Sequence, residues 1–157
     1  MNSIEMYNEL YEKEWRNVFS QYWAYITNYK VTEEQIKSCQ DYILKQVLEN
    51  KVFMFLFINN NKVIGFSISQ IDNENSDWNK SPSYGFIREF FILSNQRRKG
   101  YGKMLAHHTV KNLFSKGAKN IYLDTDKNAK EFWIKCGFTS TGKFDEDNSN
   151  EILIYNI

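Results

Sequence analysis

The 157 residues suffice for about one domain by the usual ~150-residue prior, and 42% hydrophobic with 25% charged residues excludes a disordered chain, a collagen-like repeat and a disulfide scaffold. No apolar run approaches the ~18 residues a membrane span needs, and Cys39 and Cys136 have no clustered His or Cys with which to form a zinc site. The net charge of +1 hides a concentration: residues 95–119 hold 7 basic and no acidic side chains, while residues 1–50 and 120–157 are each −3.

In chain order, a first helix is predicted from near Ile4 to Phe19 or beyond, carrying Leu10, Trp15, Val18 and Phe19. Thr32 with Gln35 forms a capping-box pair for a second helix, and Val31 and Ile36 stand where a hydrophobic staple sits. Ile36, Cys39, Ile43, Val47 and Leu48 continue that helix as an apolar stripe, with an expected end near Asn50. Apolar runs at 52–58 and 62–71 flank Asn59-Asn60-Asn61 and predict a β-hairpin. An Asn-rich stretch follows and reads as a loop, with the only proline, Pro82, near its end. Residues 84–93, YGFIREFFIL, read as a third strand.

The turn 94–102 then feeds a helix that carries Leu105, Ala106, Val110, Leu113 and Phe114 inward and closes at Lys116-Gly117. Residues 120–124 predict a short strand, 127–135 a short helix, and 138–144 with 151–157 a closing hairpin. This order belongs to a mixed sheet with helices on both faces, in the α/β or α+β class.

The strand–turn–helix around residue 100 carries the chemistry. Gly100 and Gly102 lack a Cβ, so backbone N–H groups there can approach a ligand closely. They lie where a helix begins, where the first N–H groups have no internal partner and the helix dipole favours anions. Arg97, Arg98, Lys99 and Lys103 add positive charge, and the whole reads as a pyrophosphate cradle. A Walker loop would need Gly at 97 and Ser or Thr at 104, where Arg97 and Met104 stand; a Rossmann fingerprint would need a third glycine where Leu105 stands. The pattern that fits is Arg/Gln-x-x-Gly-x-Gly/Ala, as Arg97-x-x-Gly100-x-Gly102. No recognised nucleic-acid motif accompanies the basic window, so no nucleic-acid partner is expected.

With EFFILSNQRRKGYG at 89–102, the helix after it, the strand NIYLD and the run AKEFWIKCGF at 129–138, the sequence resembles the GNAT (Gcn5-related) N-acetyltransferase family. Residues 84–138 carry the likeness best, 52–71 match the order of elements, and 1–50 match as two helices without a clear first strand. The resemblance implies a single GNAT domain over 1–157, with 1–50 a helical substrate-side region and 84–138 the acetyl-CoA-binding core. The implied fold is a mixed, mostly antiparallel twisted sheet flanked by helices, with two splayed central parallel strands.

The same resemblance implies acetyl-CoA as cosubstrate, no metal, and direct attack of a primary amine on the thioester in a ternary complex. Pyrophosphate would sit on the N–H groups from Arg98 to Lys103, with Arg97 adding charge; Tyr101 and Gly102 belong to the same cradle. The pantetheine arm would pair with the strand backbone at Phe90, Phe91 and Ile92 as an added strand. A backbone N–H of that strand would polarise the thioester carbonyl.

Glu89 is the candidate base, since the substrate ammonium must lose a proton; alternatively it is paired with Arg88 or a lysine, or faces solvent. His107 and His108 are expected to be packing or surface residues. The family's usual tyrosine that protonates the leaving thiolate is replaced by Trp133. That leaves Tyr84, Tyr101, Tyr122, water, or departure of the thiolate itself. The usual Asn near the pantetheine is Asp126, with Asn128 two residues on to supply the amide.

The acceptor, a small-molecule or peptide amine, is expected near Trp15, Phe19, Tyr22, Trp23, Tyr25, Tyr29 and Trp78. The alternative function is a catalytically silent CoA-binding or regulatory module of the same fold. The first residues, MNSIEMYNELYEKEW, lack a signal-peptide pattern, so a reduced cytoplasmic protein without membrane contact is expected. The resemblance is also compatible with a homodimer.

Overall fold

The computed structural model describes residues 1–27, 29–76 and 81–157. Its elements in order are β1 (Asn2–Met6), α1 (Glu12–Ile26), α2 (Glu33–Leu48), β2 (Phe53–Asn59), β3 (Lys62–Ile71), β4 (Gly85–Ile92), α3 (Tyr101–Ser115), β5 (Ile121–Thr125), α4 (Lys130–Lys135), β6 (Phe138–Phe144) and β7 (Glu151–Tyr155). The seven strands form one sheet in the order β1-β2-β3-β4-β5-β7-β6. By contacts the chain divides into two compact units, one of residues 1–68 with 89–105, the other of residues 69–88 with 106–157.

In the first unit, β1 runs antiparallel to β2, with Ile4 opposite Phe57 and Met6 opposite Phe55. This corrects the expected helix start near Ile4. Five residues are too few for either periodicity to declare itself, and pairing with β2 decides the matter. The β2–β3 connection places Asn60 and Asn61 at φ 50° and 60°. Two successive left-handed residues are what a tight hairpin turn demands, and Asn tolerates them.

Trp15, Val18, Phe19 and Tyr22 of α1 are buried at the spacing of one helix face. They pack with Met54, Leu56, Phe66, Ile68 and Phe91. Phe55, Phe57, Ile64, Ile92 and Leu105 form a second cluster. Away from the core, Arg16 of α1 donates to Asp41 Oδ1 at 2.7 Å and to Gln40 Oε1 at 3.1 Å on α2. The Arg16 guanidinium, and then Lys37, hold the Asp41 carboxyl below its ordinary range. The capping box predicted at Thr32 and Gln35 is formed.

In the second unit, β4 and β5 run parallel, with Gly85 opposite Ile121 and Phe86 opposite Tyr122. β5 and β6 each pair antiparallel with β7. The short helix α4 begins three residues later than its expected start, because the Asp126 carboxylate accepts from the N–H groups of Asn128 and Ala129 at 2.8 and 2.9 Å and forms a turn first.

One glycine sets how closely β3 and β4 approach. A Cβ at Gly65 would meet the Phe91 carbonyl oxygen at 2.6 Å and also strike the Ile92 side chain. Because the obstacle is backbone, Gly65→Ala is expected to cost about 1–3 kcal/mol. The melting temperature should fall by about 3–10 °C, measurable by calorimetry; an unchanged value would show that β4 can shift freely.

Candidate functional site

The first unit holds Glu89, Phe90, Phe91, Ile92 and Arg97 through Lys103. Alternation along β4 places Glu89 and Phe91 on one face and Phe90 and Ile92 on the other. Phe91 accordingly packs with the α1 cluster, whereas Phe90 and Ile92 join the cluster around Phe57 and Leu105.

Beyond β4 the chain makes one short turn, Ser94–Gln96, and reaches Arg97 in extended conformation. Arg98 then takes φ 66° and Gly100 φ 83°, and α3 opens at Tyr101 with the Met104 N–H on the Gly100 carbonyl at 3.1 Å. No atom lies within 4 Å of a Cβ built at Gly100, so the glycine is there for its torsion and not for space.

The consequence is a run of N–H groups from Arg98 to Lys103 that, among the described residues, donate to nothing in the protein. Arg98, Lys99, Gly100 and Lys103 are exposed. A helix start whose donors are open to solvent and surrounded by cationic side chains is an anion-binding geometry.

Arg97 is placed differently from its neighbours. Its Nε donates to the Ile92 carbonyl at 2.9 Å. Its guanidinium lies over the Tyr25 ring at 5.0 Å and the Phe91 ring at 5.2 Å. The residue therefore pins the turn to β4 and α1 through a hydrogen bond and cation–π contacts. Tyr101 sits with its ring 4.9 Å from that of Phe57, and Lys99 Nζ donates to Gln96 Oε1 at 3.2 Å.

Glu89 is half-buried and accepts a hydrogen bond on Oε2 from the Tyr22 hydroxyl. Arg88 directs Nη1 to Gln70 Oε1 at 3.1 Å. Sequence reasoning missed the Tyr22 hydroxyl as the partner of Glu89. The available signal was the i, i+3, i+4, i+7 stripe Trp15, Val18, Phe19, Tyr22, which puts Tyr22 on the inward face of α1.

The second unit holds Asn128 and Trp133. Asn128 is exposed at the turn before α4. Trp133 is 6% exposed, with its ring 4.9 Å from Phe132 and 5.5 Å from Phe138. Tyr122, one of the tyrosines left open for thiolate protonation, stacks on Phe86 at 4.8 Å, and its hydroxyl donates to the Asp72 carboxylate. Asp72, 1% exposed, also accepts from Gln70 Nε2 at 2.8 Å and from the Ser81 N–H at 3.3 Å. Sequence reasoning missed this buried carboxylate, which it assigned to a loop.

His107 is exposed and His108 half-buried; burial, and then Lys111, hold His108 below the ordinary imidazole value. Of the aromatic residues suggested for an acceptor wall, Trp15, Phe19 and Tyr22 are core, Trp23 is half-buried against it, Tyr25 and Tyr29 are exposed, and Trp78 lies outside the described residues. Among the described residues, no group of three or more His, Cys, Asp or Glu side chains could hold a metal ion, and no helix is long and apolar enough to cross a membrane.

The sequence matches the family described as Acetyltransferase (GNAT) over residues 4–138. Comparison with curated proteins gave no match. Among solved structures, the chain is similar to the PaiA N-acetyltransferase from Thermoplasma acidophilum in complex with coenzyme A, with TM-score 0.74 and 16% identity over 100% of this chain and 99% of that one. It is similar to an acetyltransferase of the GNAT family from Staphylococcus aureus Mu50, with TM-score 0.74 and 17% identity over 99% of each chain. It is also similar to AAC(6')-Iy in complex with the bisubstrate analogue CoA-S-monomethyl-acetylneamine, with TM-score 0.74 and 19% identity over 92% of this chain and 95% of that one. These likenesses show the fold: a mixed α/β structure on a seven-stranded, mostly antiparallel sheet.

Because Gly100 stands at φ 83° with free space around it, Gly100→Ala should destabilise through torsion alone, by about 1–2 kcal/mol. A melting temperature lower by about 2–8 °C would register it. No change would mean that the turn relaxes to another conformation at no cost.

Proposed function

The chain belongs to the acetyltransferase (GNAT) family, and from that premise we propose that it transfers the acetyl group of acetyl-CoA to a primary amine, by direct attack in a ternary complex. The observation that carries this reading is the run of unpartnered N–H groups from Arg98 to Lys103 at the start of α3. A diphosphate offers acceptor oxygens to several such donors at once, and Arg98, Lys99 and Lys103 compensate its charge. Acetyl-CoA supplies an activated acyl thioester; the protein's part is to hold it, to polarise its carbonyl and to manage protons. On this reading the backbone of Phe90, Phe91 and Ile92 holds the pantetheine arm, and Arg97 contributes charge from its seat over Tyr25 and Phe91.

The attacking amine enters as an ammonium and must shed a proton before its lone pair can reach the thioester carbonyl. Glu89 takes that proton, directly or through water, a role worth about 10²–10⁴ in rate. The Tyr122 hydroxyl is engaged by buried Asp72, which weighs against it as donor to the departing thiolate. Departure as thiolate is tolerable for a thiol with an ordinary pKa of about 8.5. The acceptor screen begins with aminoglycosides, since the similar AAC(6')-Iy carries a CoA–acetylneamine analogue, and extends to polyamines and peptide N-termini. The reading treats residues 1–157 as one domain working in the cytoplasm, where the thiols of Cys39 and Cys136, neither in a disulfide, stay reduced, and is compatible with a homodimer.

Acetyl-CoA at ~100 times its Kd should add about 2.7 kcal/mol of stability and raise the melting temperature by about 5–10 °C; the absence of any shift at millimolar acetyl-CoA would refute the reading. A shift without amine-dependent thiol release across the screen would favour a CoA-binding module without catalysis. Glu89→Gln should lower kcat by about 10²–10⁴ while the acetyl-CoA-induced shift is retained, as measured by thiol release and thermal denaturation side by side.

A further inference from the structure

We infer that Tyr22 is the positioning residue for Glu89, fixing from α1 the orientation and the charged state of the carboxylate that the proposed function uses as base; the inference rests on that reading. Tyr22 is 7% exposed, and its hydroxyl donates to Glu89 Oε2. Its ring is enclosed by Phe19 at 5.7 Å, Phe66 at 5.5 Å and Phe91 at 5.4 Å, the Phe66 contact being nearly perpendicular at 86°. A ring held on three sides gives its hydroxyl one direction. The helix that carries it is itself tied down: Glu14 Oε2 accepts from the Val63 N–H at 2.8 Å, and Arg16 reaches Asp41 and Gln40 on α2.

The charged and titratable surroundings make the hydroxyl significant. On the β4 face that carries Glu89, Phe91 is covered by Tyr22 and Tyr25 from α1 and by the Arg97 guanidinium from the following turn. β3 contributes no titratable side chain between Val63 and Ser69. On β4 itself, Arg88 is directed to Gln70. A neutral hydroxyl orients a carboxylate and favours its charged form through one hydrogen bond.

The test uses full-length protein labelled with 13C at the glutamate carboxyl, with the Glu89 signal identified by its loss in Glu89→Gln. In Tyr22→Phe we expect Glu89 to take up its proton at a pH higher by about half to one unit, a three- to tenfold rise in proton affinity, because the donor that favoured the charged form is gone. An unchanged titration overturns the inference. Should Tyr22→Phe fold poorly, the reciprocal measurement serves: in Glu89→Gln with 13Cζ-tyrosine, Tyr22 should ionise at lower pH than in the unsubstituted protein, and no change overturns the inference equally.

With any amine that supports thiol release, Tyr22→Phe should move the acid limb of kcat/KM upward by the same interval. A uniform loss of rate with an unmoved limb would mark a merely structural tyrosine. The coupled titration in a protein silent towards every amine tested counts against the acetyltransferase reading and keeps the Tyr22–Glu89 coupling. Thiol release with no coupling overturns the Tyr22 inference alone.

Discussion

A strand that ends and a helix that begins a few residues later leave the backbone with donors it cannot satisfy internally. In the first unit that debt of hydrogen bonds falls between Arg98 and Lys103. Left-handed torsions at Arg98 and Gly100 turn successive N–H groups outward, where an α-helical or extended path would have spent them within the chain. The cationic side chains are secondary to this, because they add attraction without geometry. Arg97 shows the division of labour: its Nε holds the Ile92 carbonyl and its guanidinium lies over two rings, so it fixes where the turn starts.

Two carboxylates, each receiving a tyrosine hydroxyl, illustrate how similar pairs serve different ends. Asp72 is almost wholly buried and is met by Tyr122, Gln70 and the Ser81 N–H. A carboxylate removed from water is tolerable only when its lone pairs are met in this way. It sits where the loop before β4 and the start of β5 are held together, the Asp72 N–H donating to the Tyr84 carbonyl at 2.8 Å. Glu89, by contrast, keeps part of its surface in solvent. The first arrangement suits a structural lock; the second leaves the carboxylate in reach of water.

The high aromatic share, 17%, is spent mainly on core rather than on an open pocket. Trp15, Phe19, Tyr22, Phe66 and Phe91 form one continuous set of ring contacts between α1 and the strands beneath it, with centroids 5.2–6.4 Å apart. Edge-to-face and tilted rings add specific geometry to area burial. They hold α1 over β4 closely enough for one hydroxyl on α1 to meet one carboxylate on β4. Trp133 follows the same rule in the second unit, where its ring belongs to a cluster with Phe132 and Phe138.

The sequence by itself determined the local features. The capping box at Thr32, the double-Asn hairpin turn, the strand over 85–92 and the glycine turn before α3 are all legible because their causes lie within a few residues. Family membership was legible for the same reason, its motifs being contiguous. Tertiary structure alone decided the rest. Five N-terminal residues became β1 because β2 offered an open edge, which no local propensity records. Glu89 received its hydroxyl from a residue 67 positions away, and Asp72 its own from one 50 positions away. A side chain's type states what it can donate or accept, but its partner depends on which faces pack together, and that is fixed only when the whole core closes.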